Sequence, residues 1–194
     1  MKDKNVVFIV LGVSVLLVGV LVLAFFMFFQ GQKDNITEEV KNGVVSMNYK
    51  TTTNEFRLAN LTPMNNELGK ELRDEGTYFD FSVSSEMDSD TEVSYEIALI
   101  KDENSTIPDS DIMVYLEKES SGSYAKVADP EPFTPVKKKT KLGSPSGSMV
   151  LKQVSLSDER VDNYRLRIWV REGATVVDPA ASFQVKVKVY GDAK

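Results

Sequence analysis

Residues 77–85, TYFDFSVSS, and residues 91–101, TEVSYEIALIK, decide the fold. In the first, Phe79, Phe81 and Val83 alternate with Tyr78, Asp80 and Ser82; in the second, Val93, Tyr95, Ile97 and Leu99 alternate with Glu92, Ser94 and Glu96. A period of two sends successive side chains to opposite faces of a strand, so each segment hides one face and wets the other. Working outward, the same alternation runs through Ile112, Val114 and Leu116, through Val45, Met47 and Tyr49, and through Phe56 and Leu58. YRLRIWVRE (164–172) and FQVKVKVYG (183–191) repeat it with arginine and lysine on the polar side. Clusters such as NLTPMNNELG, DENSTIPDSD, ESSGS and DPEPFTP supply turns between the runs, and no helical period is long enough for a crossover. The expected fold is all-β, an antiparallel β-sandwich of jelly-roll or immunoglobulin-like type. Tyr164 opens the strongest strand, where a tyrosine either hydrogen-bonds back to the preceding corner or simply fills the core.

Ahead of that domain, Val6 to Phe29 carries no charge, and only Ser14, Gly12 and Gly19 interrupt its large apolar side chains. A helix rising about 1.5 Å per residue crosses a bilayer core of roughly 30 Å over such a length. A cleavable signal peptide would have a shorter apolar core ending in small residues, whereas this run ends AFFMFFQGQ, so a retained anchor is expected. Lys2 and Lys4 before the span are balanced by Lys33 and Lys41 after it; the short tail in front of a long span is what favours a cytosolic N-terminus. The expected organisation is a cytoplasmic tail (1–5), a transmembrane helix (6–29), a polar linker (30–43) and an extracytoplasmic β-sandwich (44–194). The protein is thus expected at the cell membrane, single-pass, with its domain outside the cytosol. Gly12 and Gly19, seven residues apart, form a candidate helix-packing face.

The formal net charge of −6 argues against general attraction to nucleic acid, which is not expected as a partner. With no histidine and no cysteine, the Ser-His-Asp relay, cysteine nucleophiles and histidine-bearing zinc sites are all excluded. No catalytic residue, cofactor site or metal site is expected. The close acidic pairs Asp88 with Asp90, Asp102 with Glu103 and Asp109 with Asp111 fall in turns, where aspartate caps the backbone; calcium ligation is the alternative. VKKKTKLGSPSGS (136–148) is the densest basic run, read as a solvated hairpin tip or as a mobile loop touching an anionic partner.

If the two basic strands share a sheet, Arg165, Arg167, Arg171, Lys186 and Lys188 line its outer face with Trp169 and Tyr190. Their acidic partners would then be Glu92, Glu96 and Asp80 on neighbouring strands. Such a face is either solvated and cross-paired or a docking surface for an acidic partner or polymer, with Trp169 as apolar anchor. NGVVSMNYKTTT (42–53) has no proline and one charge, so Val45, Met47 and Tyr49 mark a candidate edge strand or a strand donated to another copy.

FRLANLTPMNNELGKEL followed by YFDFSVSS, VSYEIALIKDE and DIMVYLEKE, then YRLRIWV and FQVKVKVYG, resembles the layout of camelysin and TasA-type surface proteins of Gram-positive bacteria. The resemblance implies a jelly-roll-like sandwich on the cell surface, which in some members polymerises into biofilm fibres by lending a strand to a neighbour. The chain departs from the pattern at Met64, where glycine usually follows the proline, and in its retained leader; it has no HExxH for the metalloprotease activity linked to camelysins. The expected function is a membrane-anchored, surface-displayed structural or protein-interaction module, partnered by the membrane and by another protein or itself through strand edges. The alternative is a carboxylate- or calcium-dependent, cell-wall-associated hydrolase.

Overall fold

The computed structural model describes residues 36–39, 45–49, 53–58, 60–74, 76–85, 87, 92–176, 178 and 180–193. The apolar run Val6–Phe29, with Gly12 and Gly19, lies outside the described residues, as do Asp88 and Asp90. Among the described residues no helix is long and apolar enough to cross a membrane.

The alternating segments form two antiparallel sheets. In chain order the elements are β1 (Ile36–Glu39), β2 (Val45–Tyr49), β3 (Glu55–Arg57), a short helix α1 (Asn66–Lys70), β4 (Tyr78–Ser85), β5 (Val93–Lys101), β6 (Ile112–Ser120), β7 (Ser123–Lys126), β8 (Glu131–Pro132), β9 (Met149–Leu156), β10 (Arg160–Val170) and β11 (Gln184–Ala193). The large sheet runs β1-β2-β4-β10-β6-β7, with β8 also on β6; the small sheet runs β3-β11-β5-β9. Consecutive strands therefore change sheet repeatedly: β4 and β10 belong to one layer, β5, β9 and β11 to the other.

The segment expected as a linker contributes β1, whose Thr37 pairs with Asn48. An edge strand needs backbone partners on one side only, so glutamates such as Glu38 and Glu39 are compatible with it. β2 is in consequence an inner strand, flanked by β1 and β4, rather than an edge. Its Val45, Met47 and Tyr49 are buried in the same domain's core, the intramolecular alternative for that segment.

Between the sheets, Phe79, Phe81, Leu166 and Ile168 face Tyr95, Ile97, Leu99 and Val187. Each such side chain contributes roughly 2 kcal/mol by leaving water. A file of aromatic rings follows the large sheet, from Tyr49 to Phe79 (6.0 Å), to Phe81 (5.9 Å) and to Tyr164 (5.5 Å, stacked). Tyr164 is a core tyrosine whose hydroxyl meets that of Tyr95 from the opposite sheet at 2.8 Å, and both hydroxyls donate to Asp162 Oδ2 at 3.4 and 3.2 Å. No bond to the preceding corner's backbone is needed, because this carboxylate is closer at hand.

Asp162 faces inward with only 6% of its surface exposed. Lys118 Nζ lies 2.8 Å from its Oδ1 and Arg160 Nε 3.3 Å from its Oδ2. Burial works to raise its pKa, but the Lys118 hydrogen bond and charge, the Arg160 charge and the Tyr95 hydroxyl outweigh it, leaving the carboxyl below the usual range. Burial pushes Tyr164 up to about 12 and Tyr95 higher still, so both hydroxyls keep their protons to donate.

A carboxyl whose folded pKa is depressed stabilises the fold fully above the unfolded value, about 3.9, and loses that contribution as pH falls through the folded value. Asp162→Asn should cost about 2 kcal/mol at pH 7, the scale of hydrogen bonds to a charged group. Urea unfolding at neutral pH and near pH 2.5 checks this: the gap between wild type and variant should close in acid, and a gap unchanged by pH would show that the charge of Asp162 contributes nothing.

Candidate interaction surfaces

The two basic strands do not share a face. β10 carries Arg165, Arg167 and Trp169 in the large sheet, with Arg171 just beyond its end, while β11 carries Lys186 and Lys188 in the small sheet. Residues 172–182 take the chain from one layer to the other, so the outward sides of β10 and β11 point away from each other.

On the large sheet most of these residues are already engaged. Arg165 makes a two-pronged bond to Asp80, Nε to Oδ1 and Nη2 to Oδ2, each 2.7 Å, as expected from strand neighbours. Its guanidinium also lies 4.1 Å from the ring centre of Tyr78 and 4.3 Å from that of Tyr124. Arg167 is buried, ion-paired with Glu117 and donating from Nε to the Leu72 carbonyl at 2.8 Å; burial lowers its pKa from the usual arginine value. Arg171 Nη2 reaches Asp111 at 3.0 Å.

Trp169 is completely buried and is no anchor for a partner. It packs with Met113 and Tyr115 on the outer side of the sheet, and Met64 and Leu72 close over them. The chain gets there through α1, whose first turn is capped by Asn65 Oδ1 accepting from Leu68 N at 3.0 Å. Gly69 is what lets α1 sit so low: a Cβ there would come within 2.2 Å of the indole.

On the small sheet Lys186 lies 3.4 Å from Glu55, both about 41% exposed, a pair of little energetic weight. Lys188 is half-buried at the register position opposite Ala98. Glu96 lies on the neighbouring strand β5. It projects from β5 on the outer side and is nevertheless fully buried, because residues 133–148 fold back over it.

That return is built around the carboxylate. Val136 and Ser148 are joined by Val136 N to Ser148 O at 2.7 Å, with Gly147 N to Val136 O at 2.9 Å closing the base. Inside it, the Thr140 hydroxyl donates to Glu96 Oε1, Ser144 N donates to the same oxygen at 3.0 Å, and Gln153 Nε2 donates to Oε2 at 2.9 Å. Gly143, at φ +121°, supplies the left-handed turn and rests on the Tyr190 ring. Burial works to raise the Glu96 pKa; the donors from Ser144, Thr140 and Gln153 prevail and hold it below the usual range.

The basic run is therefore a seated cover on the sheet and not a hairpin tip. Lys137, Lys138, Lys139 and Lys141 are exposed on it, and among the described residues none of the four has an ion pair. Sequence reading had the lysines and missed their anchor. The available signal was a glutamate in mid-strand between Tyr95 and Ile97, followed later by Thr140 and Ser144 in a glycine-containing turn.

The other acidic residues behave as turn and strand partners. Asp102 Oδ1 caps Asn104 N at 2.8 Å, Asp109 pairs with Lys101 at 2.5 Å and Asp111 with Arg171. Among the described residues no three acidic side chains gather into a metal site.

The α1 cover yields a direct check, because Trp169 is the single tryptophan of the chain. Its fluorescence should be blue-shifted, and Gly69→Ala should red-shift it while costing about 1–3 kcal/mol, the range for overpacking a filled site. An unshifted emission maximum with unchanged stability would contradict the tight seating of α1.

Comparison with protein-family models, with curated proteins and with solved structures finds no match for this chain.

Proposed function

We propose that the chain is a membrane-anchored, surface-displayed sandwich of jelly-roll type, acting as a structural or interaction module that takes an acidic partner or anionic polymer on its lysine loop. The observation that carries this reading is the loop itself: four exposed lysines, without an ion pair among the described residues, held in place over a buried, ionised Glu96, in a chain whose net charge is −6. Local positive charge concentrated on an acidic molecule steers an anionic partner to one place and excludes others. The membrane side of the proposal rests on the apolar length of Val6–Phe29.

Self-assembly through strand edges is the second half of the reading. Among the described residues the outer strands β1, β3, β7 and β8 are short, and β9, Met149–Leu156, is the longest of those at an edge. β9 carries Lys152, and its pairing with β5 shifts register at Ile97/Ala98. Both features restrain pairing with a second copy. Assembly, where it occurs, would use β9, and Lys152→Val should promote it.

The quadruple change Lys137→Ser, Lys138→Ser, Lys139→Ser and Lys141→Ser tests the loop. Each lysine near an anionic surface is worth roughly 1 kcal/mol at modest ionic strength, so affinity for poly-glutamate or poly(glycerol phosphate) should fall at least about tenfold. Equal binding by wild type and variant, or no binding by either at low salt, would remove the loop from the account. Analytical ultracentrifugation of Lys152→Val reads the edge separately; an unchanged sedimentation profile would leave β9 without a role in assembly.

A further inference from the structure

The outer side of the large sheet has a second end, away from α1, that no cover reaches among the described residues. There one rung of the sheet crosses five strands: Asn48 of β2 is paired with Ser82 of β4, Ser82 with Asn163 of β10, and Glu119 of β6 with Tyr124 of β7. Asn163 Nδ2 donates to Glu119 Oε2 at 2.8 Å and closes the row. These residues, with Asp80, line a shallow trough. We propose that this trough binds an uncharged glycan chain.

The charge balance selects that class. Asp80 is neutralised by Arg165, leaving Glu119 as the trough's one carboxylate without a cationic partner among the described residues. A carboxylate with its surplus negative charge repels an anion. A bare metal ion needs six or more oxygen ligands in the case of calcium, and no acidic cluster of that kind exists among the described residues. A ligand that both gives and takes hydrogen bonds is what remains.

The trough meets such a ligand on both counts. The Ser82 and Tyr124 hydroxyls have no hydrogen-bond partner among the described residues, and Asn163 engages only its amide nitrogen, leaving its carbonyl oxygen to accept. Sugar hydroxyls pair with such mixed sets of hydroxyl, amide and carboxylate groups. The Tyr124 ring forms an aromatic wall, and the electron-rich face of an aromatic ring attracts the polarised C–H groups of a sugar. Arg165 stacks on that ring at 4.3 Å while bound to Asp80, so the wall is held before any ligand arrives and less ordering entropy opposes binding. A peptide adding to the sheet would pair with the backbone of the outer strand β7, whereas the groups gathered in the trough are side chains on the sheet's face.

The inference is independent of the lysine loop, which lies on the other sheet, and the two are separable by salt. The full chain, purified in a detergent without sugar head groups, is titrated calorimetrically with cellohexaose, maltohexaose and chitotetraose. At least one should bind, with an affinity unchanged between low salt and about 0.5 M, since no ion pair is formed. Tyr124→Ala and Asn163→Ala should each weaken it about tenfold, the equivalent of one good hydrogen bond or ring contact. Ser82→Leu, which fills the trough, should abolish it. Unchanged Trp169 emission certifies that a variant is folded. Failure of all three oligosaccharides to saturate, or binding that survives Ser82→Leu in a folded protein, overturns the proposal.

Discussion

A carboxylate placed between two apolar sheets is the constraint around which this domain is organised. Burial of Phe79, Leu99 or Val187 pulls the layers together, but apolar contact is non-directional and tolerates sliding. Asp162 is directional. It receives a hydroxyl from Tyr95 on the small sheet and from Tyr164 on the large one, and is balanced by Lys118 and Arg160 at the rim. A shift of one layer past the other would take the Tyr95 hydroxyl away from this buried carboxylate, while Tyr164, Lys118 and Arg160, which share its sheet, would stay with it; one hydrogen bond to a charged group is at stake, about 1.5–3 kcal/mol. The Tyr95–Asp162 bond is thus a directional contact between the two layers, added to the apolar packing around it.

Both outward faces are then partly closed by the chain itself, and by the same device. On the large sheet, α1 brings a glycine down onto Trp169; on the small sheet, residues 133–148 bring Thr140 and Ser144 down onto Glu96. One cover is apolar and the other polar, but each converts an outward residue that a sandwich would ordinarily leave wet into a buried one. What stays accessible includes four lysines on one side and a row of hydroxyl, amide and carboxylate groups on the other.

The strands were legible because a period of two is a strong local signal, and TYFDFSVSS and TEVSYEIALIK form β4 and β5 with the expected residues inside. Asp80 was also legible as a partner for Arg165, since the pair needs only that β4 and β10 be neighbours. The joint face of Arg165 and Lys186 was not, because alternation reports which side of a strand is wet and says nothing about which of two sheets the strand joins. Trp169 misled for a related reason: its outward parity is real, and it is hidden by the distant stretch from Met64 to Leu72 that includes NELGK. β1 escaped notice because edge strands tolerate the charges that otherwise mark connectors. Glu96 and its loop were harder to pair, because a mid-strand glutamate and a turn with Thr140 and Ser144 each signal a need for partners, while no strand alternation links one to the other.

In the lysine loop, the residues that hold and the residues that show are different ones. Glu96, Thr140, Gly143, Ser144 and Gln153 set its path, while positions 137, 138, 139 and 141 face outward and make none of those bonds. Shape and display are therefore separately heritable. Substitutions at the four outward positions can accumulate without loosening the sheet beneath, so related chains could diverge in what they recognise while keeping an identical mount. The same separation makes the loop a natural graft point, where a foreign recognition sequence of matching length would inherit a ready-made conformation.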